Sequence, residues 1–496
     1  MSVVHILQAD LELTGPAAVA APEAHTVGSV LRPDLPLARD GWGTPYLPAT
    51  SLTGSLRQQA PEDRRCPLFG DVFKNPVDGT GDATGEDKGD AVRAGGRAGT
   101  IAIASPVRVL GTRLTLPDSE PTRRRRTAVD RHRAAAKATS LHDRELLPPG
   151  TALTFWLRID TETAQDVLVE EVIALLGAWR PRIGGGRTTG YGRAELVTVR
   201  HRIIDLSTPD GLRHWLTEGG PGLVDDRATV AHERAHRPGG ALDEPYLFGE
   251  ALGFRIADAL HVGSGTRADR AARRTGVAQI LRDHEDIPLV PGSTWKGVLR
   301  ARVEFILRSV GIGGVCASVG DGAAGTCGTC PVCEAFGWTE RPATTAHAYK
   351  GEPPQTVGAR GHLLFADSPV RDGTVRVRNH VALDRVFGGA RDNALYTEEI
   401  VEDGHLSLHI RHDGHVPDVV RAALVLALAD LADGTTGIGG GTTRGHGTLA
   451  AQPRTADWLT AERAAAVDTL RAHRTLPIPA PTAAEATPTA TEEIPA

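Results

Sequence analysis

The sequence predicts an α+β fold built as two tandem ferredoxin-like domains. Three observations lead there: the chain length, an internal repeat, and a strand–helix–strand rhythm that occurs twice in each repeat. At 496 residues the chain exceeds what one hydrophobic core organises, so two domains are expected. The repeat is read directly. PYLPATSLTGSLR at 45–57 returns as IPLVPGSTWKGVLR at 287–300, and Cys66–Gly70 returns as Cys333–Gly337. Ala104–Val107 returns as Asp367–Val370, and Arg126–Arg131 as His380–Arg385. PRIGGGRTTGYGRAEL at 181–196 returns as TGIGGGTTRGHGTL at 436–449. The five matches are collinear, with an offset of 243 at Gly54/Gly297, 254 at Asp130/Asp384 and 255 at Gly184/Gly439.

Each element of the rhythm has a local cause. Val3–Leu13 and Leu252–Val262 alternate as strands. Leu52–Gln59 and Trp295–Val310 read as helices, with Ser51 and Ser293/Thr294 as N-caps after a proline-containing turn. Val167–Trp179 and Val419–Leu431 are apolar at helical spacing, and each runs into a glycine-rich loop and then a strand. Two such strand–helix–strand passes per unit give an antiparallel sheet with helices on one face. The first domain is placed at 1–204, a linker at 205–249, the second domain at 250–455, and a C-terminal helix with a disordered Pro/Ala/Thr-rich tail at 456–496. Residues 71–99, rich in Gly and Asp, read as a loop insertion in the first domain.

Composition excludes some functions. Hydrophobic residues at 40% and charged residues at 23% are ordinary for a globular protein. A net charge of -6 means that any polyanion site must be a local patch rather than a global field. No apolar run approaches the ~20 residues of a membrane span, so no membrane partner and a cytoplasmic location are expected. Aromatics are only 4% of the chain, which argues against base stacking as the dominant binding mode.

Four motifs carry chemistry. The glycine-rich loops Gly184–Gly192 and Gly439–Gly447 let a phosphate chain approach backbone N–H groups, notably at Gly185 and Gly440, with Arg182, Arg187, Arg193 and Arg444 as cationic donors. They lack the Gly-Lys-Ser/Thr of a nucleotide loop, and a tight structural turn is the alternative reading. The helix starts Ser51–Arg57 and Ser293–Arg300, with Lys296, offer free N–H groups to an anion, or are simply capped core helices. Arg123–Arg126 with Arg131, Arg133 and Lys137 form the densest basic stretch, and Arg376, Arg378, Arg385 and Arg391 are its counterpart. Such runs are RNA-clamping surfaces or solvated faces. Cys316, Cys327, Cys330 and Cys333 can close a tetrahedral, structural Zn2+ site within an insertion at 311–338. An iron–sulfur cluster and buried free thiols are the alternatives. Cys66 stands alone.

The P-x-(S/T)-(S/T)-x-x-G-x-x-R helix start, the mid-domain A-x-D-R hairpin and the terminal I-G-G-G-x-x-x-G-x-G loop, present in both halves, resemble the RAMP superfamily over roughly residues 1–200 and 250–455. Within it the chain looks most like the fused backbone subunits of type III CRISPR effector complexes. The resemblance implies a ferredoxin-like core, a thumb-like hairpin, a CRISPR guide RNA lying along a stack of such domains, and other effector subunits as partners. Family members that cut target RNA carry an Asp in the loop before the first helix. Here that loop reads Leu31–Asp40, with Asp34 in the cutting position; the second unit has Val277 there, and Asp269 lies upstream. The resemblance thus implies cleavage by the first domain, with the RNA's own 2′-OH as nucleophile, a 2′,3′-cyclic phosphate product, and Mg2+ or Mn2+ as a possible aid. A surface-turn role for Asp34 leaves a purely structural binding subunit. A guide-precursor endoribonuclease using His5, His25 or His446 is a third reading.

Overall fold

The computed structural model describes residues 2–20, 34–74, 100–118, 120–130, 135–136, 140–234, 244–265, 277–316, 326–339 and 358–475. His25, most of the 71–99 insertion, Arg131, Arg133, Lys137, Asp269 and the tail beyond 475 lie outside the described residues.

The first unit contains β1 (Val3–Leu13), α1 (Ala49–Gln59), β2 (Arg108–Thr115), β3 (Ala152–Thr161), α2 (Val167–Gly177) and β4 (Ala194–Asp205). Its sheet runs β4-β1-β3-β2, every pair antiparallel. That order, with a helix after the first and third strands, is the ferredoxin-like arrangement. The second unit repeats it with β6 (Leu252–Ile256), α3 (Gly292–Ser309), β7 (Arg371–Leu383), β8 (Ala390–Leu408), α4 (Asp418–Ala432) and β9 (Leu449–Ala451), in the order β9-β6-β8-β7. A final helix, α5 (Pro453–Ala472), packs on α4.

Apolar side chains on one face of each sheet meet the helices. In the first unit Leu7, Leu11, Phe155 and Leu157 pack with Leu52, Leu56, Val172 and Leu176. In the second, Phe254, Leu406 and Leu408 pack with Trp295, Leu299, Leu424 and Leu428. Residues 205–234 of the segment expected to be a linker are folded. They supply a helix at Pro209–Thr217 and a strand, β5 (Thr229–Glu233), that pairs with β4 and extends the first sheet. Val4, Ile6, Trp156 and Ile204 on the sheet's other face pack with Leu223 and Val224. This explains why almost every side chain of β1 is buried, including its first five residues.

Two local expectations need correction. α1 and α3 begin at Ala49 and Gly292, with Pro48 and Pro291 as N-caps and no capping side chain. Ser51 and Ser293 therefore sit inside the first turn, because the prolines already turn the chain into the helix without needing a hydroxyl. Leu252–Val262 is not one strand: it breaks at Ala257–Asp258 and resumes at Ala259–Leu260.

Each unit also projects a hairpin. In the first it pairs Thr122–Arg126 with His142–Leu146. In the second, β7 and β8 themselves extend into a long ribbon, and Asp384 ties its turn by accepting from the N–H groups of Val386 and Phe387.

Candidate nucleic-acid interface and metal centre

The glycine-rich loops are built identically and are mostly tight turns. Gly184 and Gly439 have positive φ, and a Cβ there would meet Ala18 O at 2.2 Å or His261 O at 2.5 Å. The next residues, Gly185 and Gly440, donate to those same carbonyls at 2.8 and 2.7 Å. Gly192 and Gly447 allow Ile183 and Ile438 to close the loop by donating to their carbonyls. Many of the loops' N–H groups therefore serve the fold, and their side chains carry the cationic character.

The first unit's loop docks on the second unit. Gly190 lies against the backbone of Phe365–Asp367, and a Cβ at Gly292 would sit 2.9 Å from Thr189 O. The Lys296 ammonium donates to Thr188 Oγ1 at 2.9 Å. Arg124, buried at 8% exposure, pairs with Asp367 of the second unit, whose other oxygen accepts from Gly292 N. Burial works to lower the Arg124 pKa, but Asp367 and Tyr191 outweigh it. Strand alternation thus splits the basic run. Arg124 and Arg126 lie over Tyr191, with guanidinium carbons 5.6 and 4.5 Å from the ring centre. Arg125 packs beside Gly265.

A cationic seam follows this junction. Lys296 is pushed down to about 8 by burial and by Arg300, Arg126 and Arg360. Burial with Arg360 and Arg182 lowers Arg187, and burial with Arg126 lowers Arg144. Burial contributes most to these shifts and the neighbouring cations add to it, and an anion would offset both. Some members already have partners: Arg182 pairs with Glu244, Arg360 pairs with Asp413 at 2.5 Å, Arg187 donates to Gln58 Oε1 at 2.7 Å, and Arg126 donates to Thr189 Oγ1 at 3.2 Å. Arg144 and Arg360 are absent from the motif-based set. Only the strand register brings Arg144 to the site, and its counterpart in the second unit is an acid, Glu398, so the repeat gives no signal for it.

Other sequence-selected residues serve different ends. Arg57 donates to Gly70 O at 2.8 Å and Arg300 to Gly337 O at 2.7 Å, the same tie in each unit. Arg300 also binds the buried Glu304 at 3.0 Å. Arg378 pairs with Glu402, and Arg385 is exposed at the ribbon tip. His5 is buried against His201 and Thr161 within the first sheet.

Asp34 is exposed and held by a reciprocal exchange: its N–H donates to Asp143 Oδ1 at 2.6 Å, and Asp143 N–H donates to Asp34 Oδ2 at 2.8 Å. The equivalent loop of the second unit docks on its own ribbon in the same way. Leu37 N and Ile280 N donate to Glu145 and Glu399, which also receive Arg39 and Arg282. Leu35 bridges Arg144, and Ala278 pairs with Glu398. Counting back one residue in each unit puts Val277 at the place of Asp34.

The four cysteines converge. Cys316 Sγ lies 3.6 Å from Cys330 Sγ and 3.4 Å from Cys333 Sγ, and all four sulfurs lie within 4.8 Å of one another. Tetrahedral Zn–S bonds of ~2.3 Å place sulfurs ~3.8 Å apart, so the set fits zinc. Backbone N–H groups of Cys327, Cys330 and Cys333 point at sulfurs, which supports thiolate charge. Burial opposes ionisation of Cys327, yet hydrogen bonds from Thr329 and Cys330 bring it down to about 6. Burial pushes the Cys316 thiol up.

No helix among the described residues is long and apolar enough to cross a membrane. No curated protein matches the chain. The RAMP superfamily model matches residues 11–195 and 255–450, one match per unit and well over half the sequence. With two ferredoxin-like units, each closing on the same glycine loop, the chain belongs to the RAMP superfamily.

Proposed function

We propose that this chain is a guide-RNA-binding backbone subunit of a type III CRISPR effector complex, and that its first unit cuts the paired target RNA. Family membership supports a CRISPR-associated, RNA-binding role. The observation that carries the reading further is the seam: Lys296, Arg126, Arg187 and Arg360 converge where one unit docks on the next, and their mutual repulsion favours a phosphate chain. Zinc held by Cys316, Cys327, Cys330 and Cys333 pins the second unit's insertion.

For cleavage, Asp34 is the carboxylate at the hairpin base. It acts on a splayed target by helping to deprotonate the 2′-OH or by holding Mg2+ or Mn2+. Val277 leaves the second unit without that group. A second reading, binding without cleavage, draws support from the Asp34–Asp143 exchange, which is what a purely structural turn requires.

The test uses the assembled complex with guide and target RNA. Lys296→Gln with Arg126→Gln lowers guide affinity for all sequences and reduces the salt slope by about one per lost phosphate contact. Asp34→Ala retains assembly and guide affinity but loses one target cut. Retention of every cut establishes the binding-only reading, and an unchanged salt slope removes the seam from the RNA path.

A further inference from the structure

The second unit encloses a His–Glu–His cluster that neither the seam nor the cysteine site uses. His380 comes from β7, Glu398 from β8 and His446 from the glycine-rich loop. His380 and Glu398 are diagonal neighbours on one face of the ribbon, since His380 pairs with Tyr396 and Glu398 with Arg378. His380 Nε2 lies 2.9 Å from Glu398 Oε1, and His446 Nδ1 lies 3.6 Å from the same oxygen. The three atoms lie within 4.8 Å of one another. His446 is 3% exposed and Glu398 5%.

Both ring nitrogens face the same carboxylate oxygen, yet none of the three atoms completes a hydrogen bond of good geometry among the described residues. Two imidazoles and a carboxylate converging in a buried spot without such bonds suit a shared ion better than one another. Two arginines face the cluster, Arg378 and Arg444, and the Nη2 of Arg444 lies 3.5 Å from Glu398 Oε1 on a half-exposed side chain. Arg378 is held by Glu402, and Tyr396 stacks on His380 at 5.0 Å. Gly441 leaves room for the His446 ring: a Cβ there would lie 3.0 Å from Nδ1.

The internal repeat supplies an independent comparison. The first unit has Arg126, Arg144 and Tyr191 at the positions of His380, Glu398 and His446. The surrounding glycines match: Gly184, Gly186 and Gly192 against Gly439, Gly441 and Gly447, all with positive φ. Within a shared frame, two guanidiniums and a tyrosine stand where the second unit has two imidazoles and a carboxylate, side chains that ligate metals.

We propose that His380, Glu398 and His446 form a second metal site, for a divalent transition ion of the zinc class. Two imidazoles and one carboxylate suit such an ion, and tetrahedral bonds of ~2.1 Å place ligand atoms ~3.4 Å apart, inside the observed spread. Three protein ligands leave a position for water or an anionic oxygen. Arg444 competes for Glu398 and swings out when the ion enters.

The experiment titrates Co2+ into the full chain, stripped of metal by chelator under reducing conditions. Thiolate-bound Co2+ gives an intense near-ultraviolet charge-transfer band, whereas nitrogen/oxygen-bound Co2+ does not. We expect a bound equivalent without that band, in addition to the thiolate equivalent. Glu398→Gln and, separately, His446→Gln lose the first and keep the second, which also reports that the second unit is folded. Arg444→Gln raises the affinity of the first by removing the competing cation. The proposal is overturned if the wild-type chain binds only thiolate-ligated Co2+. It is equally overturned if both ligand variants bind as much Co2+ as the wild type.

Discussion

Replacing Asp367 with Asn removes one charge from the contact that joins the two units. Arg124 is 8% exposed and pairs with Asp367, so the substitution leaves a buried guanidinium without its counter-ion. Removing one partner of a buried pair costs about 3–5 kcal/mol. The Tyr191 ring, 5.6 Å from the guanidinium carbon, is in contact before and after the substitution and so offsets none of this. Asn retains an oxygen for the Gly292 N–H, so the backbone bond survives. The expected loss is therefore about 3–5 kcal/mol, concentrated at the junction. Denaturant unfolding of the full chain should show it as separation into two transitions, one per unit. Arg124→Met combined with Asp367→Asn should recover most of the loss, since the uncompensated charge is gone. A cost below about 1 kcal/mol for Asp367→Asn alone, with the transitions unchanged, would mean that Arg124 is solvated and the units are not joined through it.

Two further outcomes are expected. Cys330→Ser removes both a ligand of the proposed zinc and the sulfur that accepts from Cys333 N at the start of a short helix, so it should abolish thiolate-bound zinc and lower the thermal stability of the second unit; chelator should lower the wild-type melting temperature and leave that of the variant unmoved. His201 is held near 4 by burial and by His5, below its ordinary 6.5, so its neutral form is the folded one. Stability should be complete above about pH 6.5 and fall as pH drops towards 4, by at most about 3 kcal/mol before solvent screening reduces it; His201→Gln should flatten that acid limb in pH-dependent unfolding.

The repeat made most of the architecture legible before any coordinates. Glycine at a positive-φ position resists substitution, so the loops at Gly184 and Gly439 kept matching residues while their surroundings changed. β1 is legible to its ends because apolar and polar residues alternate along Val3–Leu13. The covering of the sheet's second face was not legible. Residues 205–234 are mixed in polarity, and only pairing with β4 reveals their strand. Side-chain allegiance was equally hidden. A run of four arginines looks like one cationic surface, but alternation along a strand sent Arg124 into the junction with an acid 243 residues away. The His380–Glu398–His446 cluster draws on three separated segments, and no local spacing announces it.

The docking of the first unit's glycine loop on the second unit's helix start has a consequence in symmetry. The contact is heterologous: a loop on one unit meets a different surface, α3, on the next. Two complementary surfaces remain at the ends of the pair. In the second unit, Thr442, Thr443 and Arg444 are exposed, whereas Arg187, Thr188 and Thr189 at the equivalent loop are wholly or partly covered. At the other end, the start of α1 is only partly covered, with Thr50 exposed. Repeating such an operation does not close into a dimer. Each added unit would present the same loop again, and the rotation from one unit to the next decides whether the series closes as a ring or continues as a helix.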